Sequence, residues 1–187
     1  MASTPVFHQL LLAASVSAAG IAAFTDTRSG RIPNWVTLPP MVMAPVVTGF
    51  ADGRMGVMSS VFGIIAGAAV PWMMFRSTKA RAIGGGDVKL FAALGALLGP
   101  VRGLEVELGA FGLLAFFAIV TLAYRGQLLD LVLNIARLAA SPVLPRGWRR
   151  PVPAAALTSF RMGPAILVAV IVNATLECLG RSVPWLA

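Results

Sequence analysis

Charged residues are scarce in this chain of 187 amino acids. Asp, Glu, Lys and Arg make up 12% of it, hydrophobic residues 58%, and the mean hydropathy is +0.85. A soluble domain carries about 25% charged residues. So few charges cannot coat a water-facing surface, which excludes a soluble globular enzyme and a disordered tail alike. Cysteine is almost absent: Cys178 stands alone, which excludes an internal disulfide framework and a Cys-paired zinc site. His8 is the single histidine, which excludes the usual His-based metal and hydrolase constellations. Neither a metal nor a cofactor is expected. The first apolar stretch has no basic residues before it, and Arg28 and Arg31 follow it, so it does not read as a cleavable signal peptide.

What remains is a bundle of membrane helices in one domain covering 1–187. Six apolar stretches can be read, at 6–24, 35–50, 57–75, 88–101, 104–124 and 162–179. The first, third, fifth and sixth approach the ~20 residues needed to cross a bilayer. The second and fourth are short, and the second carries Pro39, Pro40 and Pro45. The fold class is therefore all-α, a polytopic bundle of about six transmembrane helices in contact with lipid. The net charge of +8 has a topological explanation that takes precedence over nucleic-acid binding, because membrane proteins collect Lys and Arg on the cytoplasmic side. With the N-terminus outside and six alternating spans, twelve of the 15 basic residues lie inside, leaving Arg54, Arg102 and Arg181 outside. The segment 125–159 differs in kind. Asp130, Asn134 and Arg137 interrupt its apolar residues at spacings of four and three, which predicts an amphipathic helix on the cytoplasmic membrane surface. A Pro-rich basic stretch follows.

Acidic residues inside or beside a membrane are the informative ones, because an uncompensated charge there is expensive. Asp52, Glu105 and Glu107 fall in predicted outside loops and read as solvated surface charges. Glu177 is placed near the outer end of the last helix, free to snorkel or to pair with Arg181, and Asp130 belongs to the amphipathic face. Asp26 and Asp87 differ: the first ends the first predicted helix and the second begins the fourth, so both lie at the inner membrane edge. Two carboxylates at one depth can work as general base and general acid on a peptide carbonyl. Each can equally well cap a helix or balance a nearby Arg. The run Gly84-Gly85-Gly86-Asp87 before Val88 and Lys89 lets backbone approach a bound peptide closely. It lacks the spacing of a phosphate loop.

These residues together resemble the type IV prepilin peptidases, membrane aspartic proteases. The family pattern at the first aspartate is Asp, basic residues, then Ile-Pro-Asn, as in Asp26, Arg28, Arg31, Ile32, Pro33 and Asn34. The second pattern is G-x-G-D with a Lys two residues on, as in Gly84, Gly86, Asp87 and Lys89. Met162-Gly163-Pro164-Ala165 is similar to a Phe-Gly-Pro-like turn of relatives. Larger relatives carry a cytoplasmic segment with paired cysteines and also N-methylate the mature pilin. This chain has neither cysteine pair nor segment, resembles the short peptidase-only form of Flp/Tad pilus systems, and is not expected to be a methyltransferase. Presenilin-type proteases share G-x-G-D, but their Tyr-Asp and Pro-Ala-Leu motifs are missing here.

The resemblance implies an endopeptidase of the bacterial inner membrane that removes the leader of a prepilin or pseudopilin at the cytoplasmic edge. Asp26 and Asp87 are its implied catalytic pair. Gly84, Gly85, Gly86, Lys89, Arg31, Pro33 and Asn34 are implied to line the site. Because Asp87 stands at a helix N-terminus and Asp26 at a C-terminus, the macrodipoles predict an ionised Asp87 and a protonated Asp26. The rival reading is a non-enzymatic transporter or assembly subunit in which the acids relay protons or pair with Arg.

Overall fold

The computed structural model describes residues 5–77, 83–124, 126 and 161–180. They form five helices: α1 (Pro5–Ser29), α2 (Asn34–Ser77), α3 (Gly85–Leu98), α4 (Pro100–Tyr124) and α5 (Gly163–Cys178). No strand occurs among the described residues. The amphipathic helix expected at 125–159 lies outside them, apart from the turn residue Gly126.

The 44-residue α2 is not one rod. Gly53 has φ 61° and ψ −142°, which breaks the helix where only glycine adopts that backbone without strain. The two arms, 34–52 and 54–77, fold back on each other. A Cβ on Gly56 would lie 2.1 Å from the Thr48 carbonyl oxygen, so the second arm starts against the end of the first. The far ends of the arms return to the same place: Asn34 bonds Lys89, and the Phe75 ring lies against Gly85. The second and third apolar stretches of the sequence are these two arms.

Within the bundle, α3 is the central helix. Every residue from Leu90 to Leu97 is buried, as expected for a helix that is apolar all round. The second arm of α2 meets it through Ser60, Gly63, Gly67 and Pro71, which are buried and share one face. Gly63 and Gly67 are a G-x-x-x-G pair. Cβ atoms there would lie 1.9 Å from the Gly95 carbonyl oxygen and 2.4 Å from that of Phe91. Small residues let membrane helices approach backbone to backbone, where dispersion and hydrogen bonds replace the hydrophobic drive that lipid does not supply. One such bond is present: the Ser60 hydroxyl donates to the Ala96 carbonyl across 2.8 Å.

The outer surface of α1, α2, α4 and α5 is apolar. Phe24, Trp35, Phe50, Met73, Phe116 and Val172 are all exposed, the reverse of a soluble protein. Among the described residues three helices are long and apolar enough to cross a membrane, Val6–Ser29, Asn34–Ser77 and Pro100–Thr121.

Two expectations need correction. The helix break expected near 102–103 falls at Gly99, whose φ of 81° turns the chain in one residue, with Pro100 starting α4. Glu105 and Glu107 are therefore helical, not loop residues. Glu107 is only 2% exposed and its Oε2 has no hydrogen-bond partner among the described residues. Glu105 accepts a bond of 2.8 Å from Asn173 Nδ2, joining α4 to α5. Glu177, expected at the outer end, is bound by Arg102 and His8, while Arg181 lies outside the described residues. His8, Arg102 and Glu177 tie one end of α1, α4 and α5 together.

Candidate active site

The other end of the bundle holds both aspartates. Asp26 stands one turn before the end of α1 and is buried, 7% exposed. Its backbone carbonyl accepts from Gly30 N at 2.9 Å, closing the helix and releasing the chain into the turn 30–33. Asp87 is the third residue of α3 and is half-buried. Its Oδ2 accepts from the Gly84 N–H at 3.1 Å, while its own N–H donates to the Gly84 carbonyl at 3.1 Å. This fixes the glycine turn around the carboxylate. Asp87 precedes the apolar stretch that starts at Val88. Burial pushes its carboxyl up to about 6; the Gly84 N–H opposes the rise and the neighbouring Asp26 charge adds to it.

The glycine turn is shaped by what lies against it. A Cβ on Gly86 would stand 3.1 Å from the Ile32 Cβ and 3.4 Å from its backbone nitrogen. The 30–33 turn thus packs on the G-x-G-D turn, and a side chain at 86 would separate them. A Cβ on Gly85 would stand 3.7 Å from the Phe75 ring. Lys89 Nζ donates to Asn34 Oδ1 at 2.9 Å, clasping the start of α2 to the first turns of α3. Lys89 and Asn34, expected to line the site, hold each other across it. Pro33 accepts from Val36 N at the head of α2, and Arg31 is exposed beside it. Arg28 lies over the Phe24 ring, 4.7 Å from its centroid. Among the described residues no ion pair joins Arg28 or Arg31 to Asp26.

One partner was not legible beforehand. The Gly163 N–H at the start of α5 donates to Asp26 Oδ2 across 3.0 Å. Asp26 therefore stands at two helix ends at once, the C-terminal end of α1 and the N-terminal end of α5. The dipole contrast between the two aspartates, on which the sequence-based roles rested, is cancelled by this contact. The only advance signal was the Met162-Gly163-Pro164-Ala165 turn, which carries no charge of its own.

The model of the type IV leader peptidase family matches residues 13–125, a stretch that includes both aspartates and their turns. The chain belongs to the type IV leader peptidase family. Membership makes it a protease and favours that reading over a transporter or assembly subunit. No curated protein and no solved structure matches the chain. The matched stretch ends at the close of α4, so α5, which supplies the Gly163 contact, lies beyond it.

Proposed function

We propose that this leader peptidase is a membrane-embedded aspartic endopeptidase that removes the leader of prepilins or pseudopilins at the cytoplasmic edge of the bacterial inner membrane. The observation that carries this reading is that Asp26 and Asp87 stand at the same end of the bundle, each held by a backbone N–H. Charge supports the orientation. Of the described basic residues, Arg28, Arg31, Arg76, Lys89 and Arg161 lie at the aspartate end, and Arg54 and Arg102 at the other. Six helical arms, alternating in direction, each cross the bilayer, with the shorter arms buried among the longer ones.

A substrate with a short basic leader, a Gly before the cut and a hydrophobic helix after it fits this arrangement. Its helix lies in the bilayer beside the exposed apolar faces, which brings the leader junction to the depth of the aspartates. Asp87, the carboxyl that burial has raised to about 6, is the proposed acid. Asp26 takes a proton from water, whose oxygen attacks the peptide carbonyl, while Asp87 gives its proton to the carbonyl oxygen. Collapse of the resulting gem-diol breaks the C–N bond and passes a proton to the leaving amine. No acyl-enzyme forms. The glycine turn leaves backbone free to hold the extended cleavage segment. The short form acts as peptidase without methyltransferase activity.

Co-expression with a prepilin carrying a Gly junction tests this reading. Leader removal shows as a faster-migrating pilin. Unchanged prepilin beside folded, inserted protein overturns the proposal.

A further inference from the structure

We infer that Gly163 is a positioning residue of the proteolytic site, and that the first turn of α5 is a working part of that site and more than a bundle helix. The inference rests on the aspartic-peptidase reading of Asp26. The Gly163 N–H holds Asp26 Oδ2 at 3.0 Å in a buried setting, which fixes the carboxylate's rotation and leaves Oδ1 for chemistry. The bond demands glycine. A Cβ at 163 would lie 2.9 Å from Ala23 Cα, 2.9 Å from Asp26 Cβ and 3.0 Å from Asp26 Oδ2. The first of these is main chain of α1 and the second is the root of the aspartate side chain, so neither can swing aside. An added methyl has to lift α5 off α1 and pull its N–H from the carboxylate.

Two neighbours hold the same turn in place. Arg161 Nη1 donates to the Thr27 carbonyl, one of the last on α1 and without a partner further along the helix. Met162, 4% exposed, is anchored in the main core cluster with Ala22 and Ile166. The turn is thus pinned on both sides of Gly163, and Pro164 follows it in the first turn of α5, where a missing N–H costs nothing.

Prepilin processing by purified full-length Gly163→Ala, scored per folded molecule, should show kcat reduced at least tenfold with KM unchanged, because residue 163 faces Asp26 and not the substrate. Gly20→Ala on α1, where a Cβ meets nothing within 4 Å, is the matched control and should process normally. A kcat within twofold of wild type, or a loss that appears in KM alone, overturns the inference. A second measurement needs neither substrate nor a folded Gly163 variant. In ¹⁵N-glycine-labelled protein, Asp26→Ala should move the Gly163 amide resonance and speed its hydrogen exchange at least tenfold. An unmoved, equally protected amide overturns the inference as well. If wild-type enzyme leaves prepilin intact, the functional reading fails, while the amide measurement still decides whether Gly163 holds Asp26.

Discussion

Asp26 and Asp87 differ in what surrounds them, and the difference predicts how each responds to substitution and to pH. The proposed reaction needs one group to take a proton and the other to give one, so neither carboxyl can be spared. Asp26→Asn and Asp87→Asn should each reduce prepilin cleavage by well over tenfold, more than ~1.4 kcal/mol in barrier terms, with membrane insertion intact. Asp52→Asn, at the fold of α2 on the far side of the bundle, should process prepilin nearly normally. Retention of more than a tenth of the wild-type rate by either dyad variant rules that aspartate out as catalytic. The pH dependence follows from Asp87. Its carboxyl is raised from 3.8 to about 6, so the folded protein holds this proton over a range where the unfolded chain has lost it. By linkage, this group's contribution to stability is largest below pH ~4 and declines as pH rises through 6. The same proton is the one proposed to reach the carbonyl oxygen, so kcat/KM should fall on the alkaline side with an apparent pKa near 6. A profile flat from pH 5 to 8 would show that the Asp87 proton takes no part in the rate.

Among the elements, the contact between α2 and α3 sets the position of the G-x-G-D turn, because α3 begins with it. That contact has no room for side chains at Gly63, Gly67 or Gly95. Gly63→Ala places a methyl 1.9 Å from the Gly95 carbonyl oxygen, against main chain on both sides. Overpacking of this kind costs about 1–3 kcal/mol. Thermal unfolding of the variant in detergent should shift down by several degrees, and processing should fall in step with the folded fraction. Gly112→Ala, with open space around it, should leave both unchanged. The sequence made the apolar periodicity of these elements legible, including both arms of α2, since Asp52-Gly53-Arg54 interrupts the apolar run. It did not show that α4 starts at Pro100, because Arg102, Glu105 and Glu107 looked like a polar loop. The charges of Arg102 and Glu105 are tolerated in a helix because Glu177 binds Arg102 and Asn173 binds Glu105, pairings between residues 68 or more positions apart that no local pattern encodes. The two aspartates of the proposed dyad stood out in the sequence because each sits in a local motif. Gly163 did not, because its role depends on how closely α5 approaches α1.

For the whole molecule, the fold-back of α2 at Gly53 brings both ends of that helix to one end of the bundle. Had the 44 residues of α2 formed one straight rod, it would be about 66 Å long at 1.5 Å per residue, over twice the ~30 Å hydrocarbon core. Folded in two, each arm reaches roughly 30 Å, the length at which the proposed topology has the chain cross and return, with Asn34 and Ser77 at the same end of the bundle as Asp26 and Asp87. The proposed orientation puts that side in the cytoplasm, in keeping with the positive-inside rule, since Arg28, Arg31, Arg76 and Lys89 cluster there. A pair of single-cysteine variants tests both statements together, after Cys178, which is exposed, is replaced by alanine. Ser77→Cys should react with a membrane-impermeant thiol reagent only from the cytoplasmic face, and Asp52→Cys only from the opposite face. Both residues are exposed, so lack of reaction through burial is not expected. Labelling of the two from one face would mean that α2 does not cross and return. Labelling of Ser77→Cys from outside would invert the bundle and remove the dyad from the side where basic leaders are presented. Opposite labelling, with position 77 inside, brings the junction between a cytoplasmic leader and a membrane-buried helix to the depth of the two aspartates.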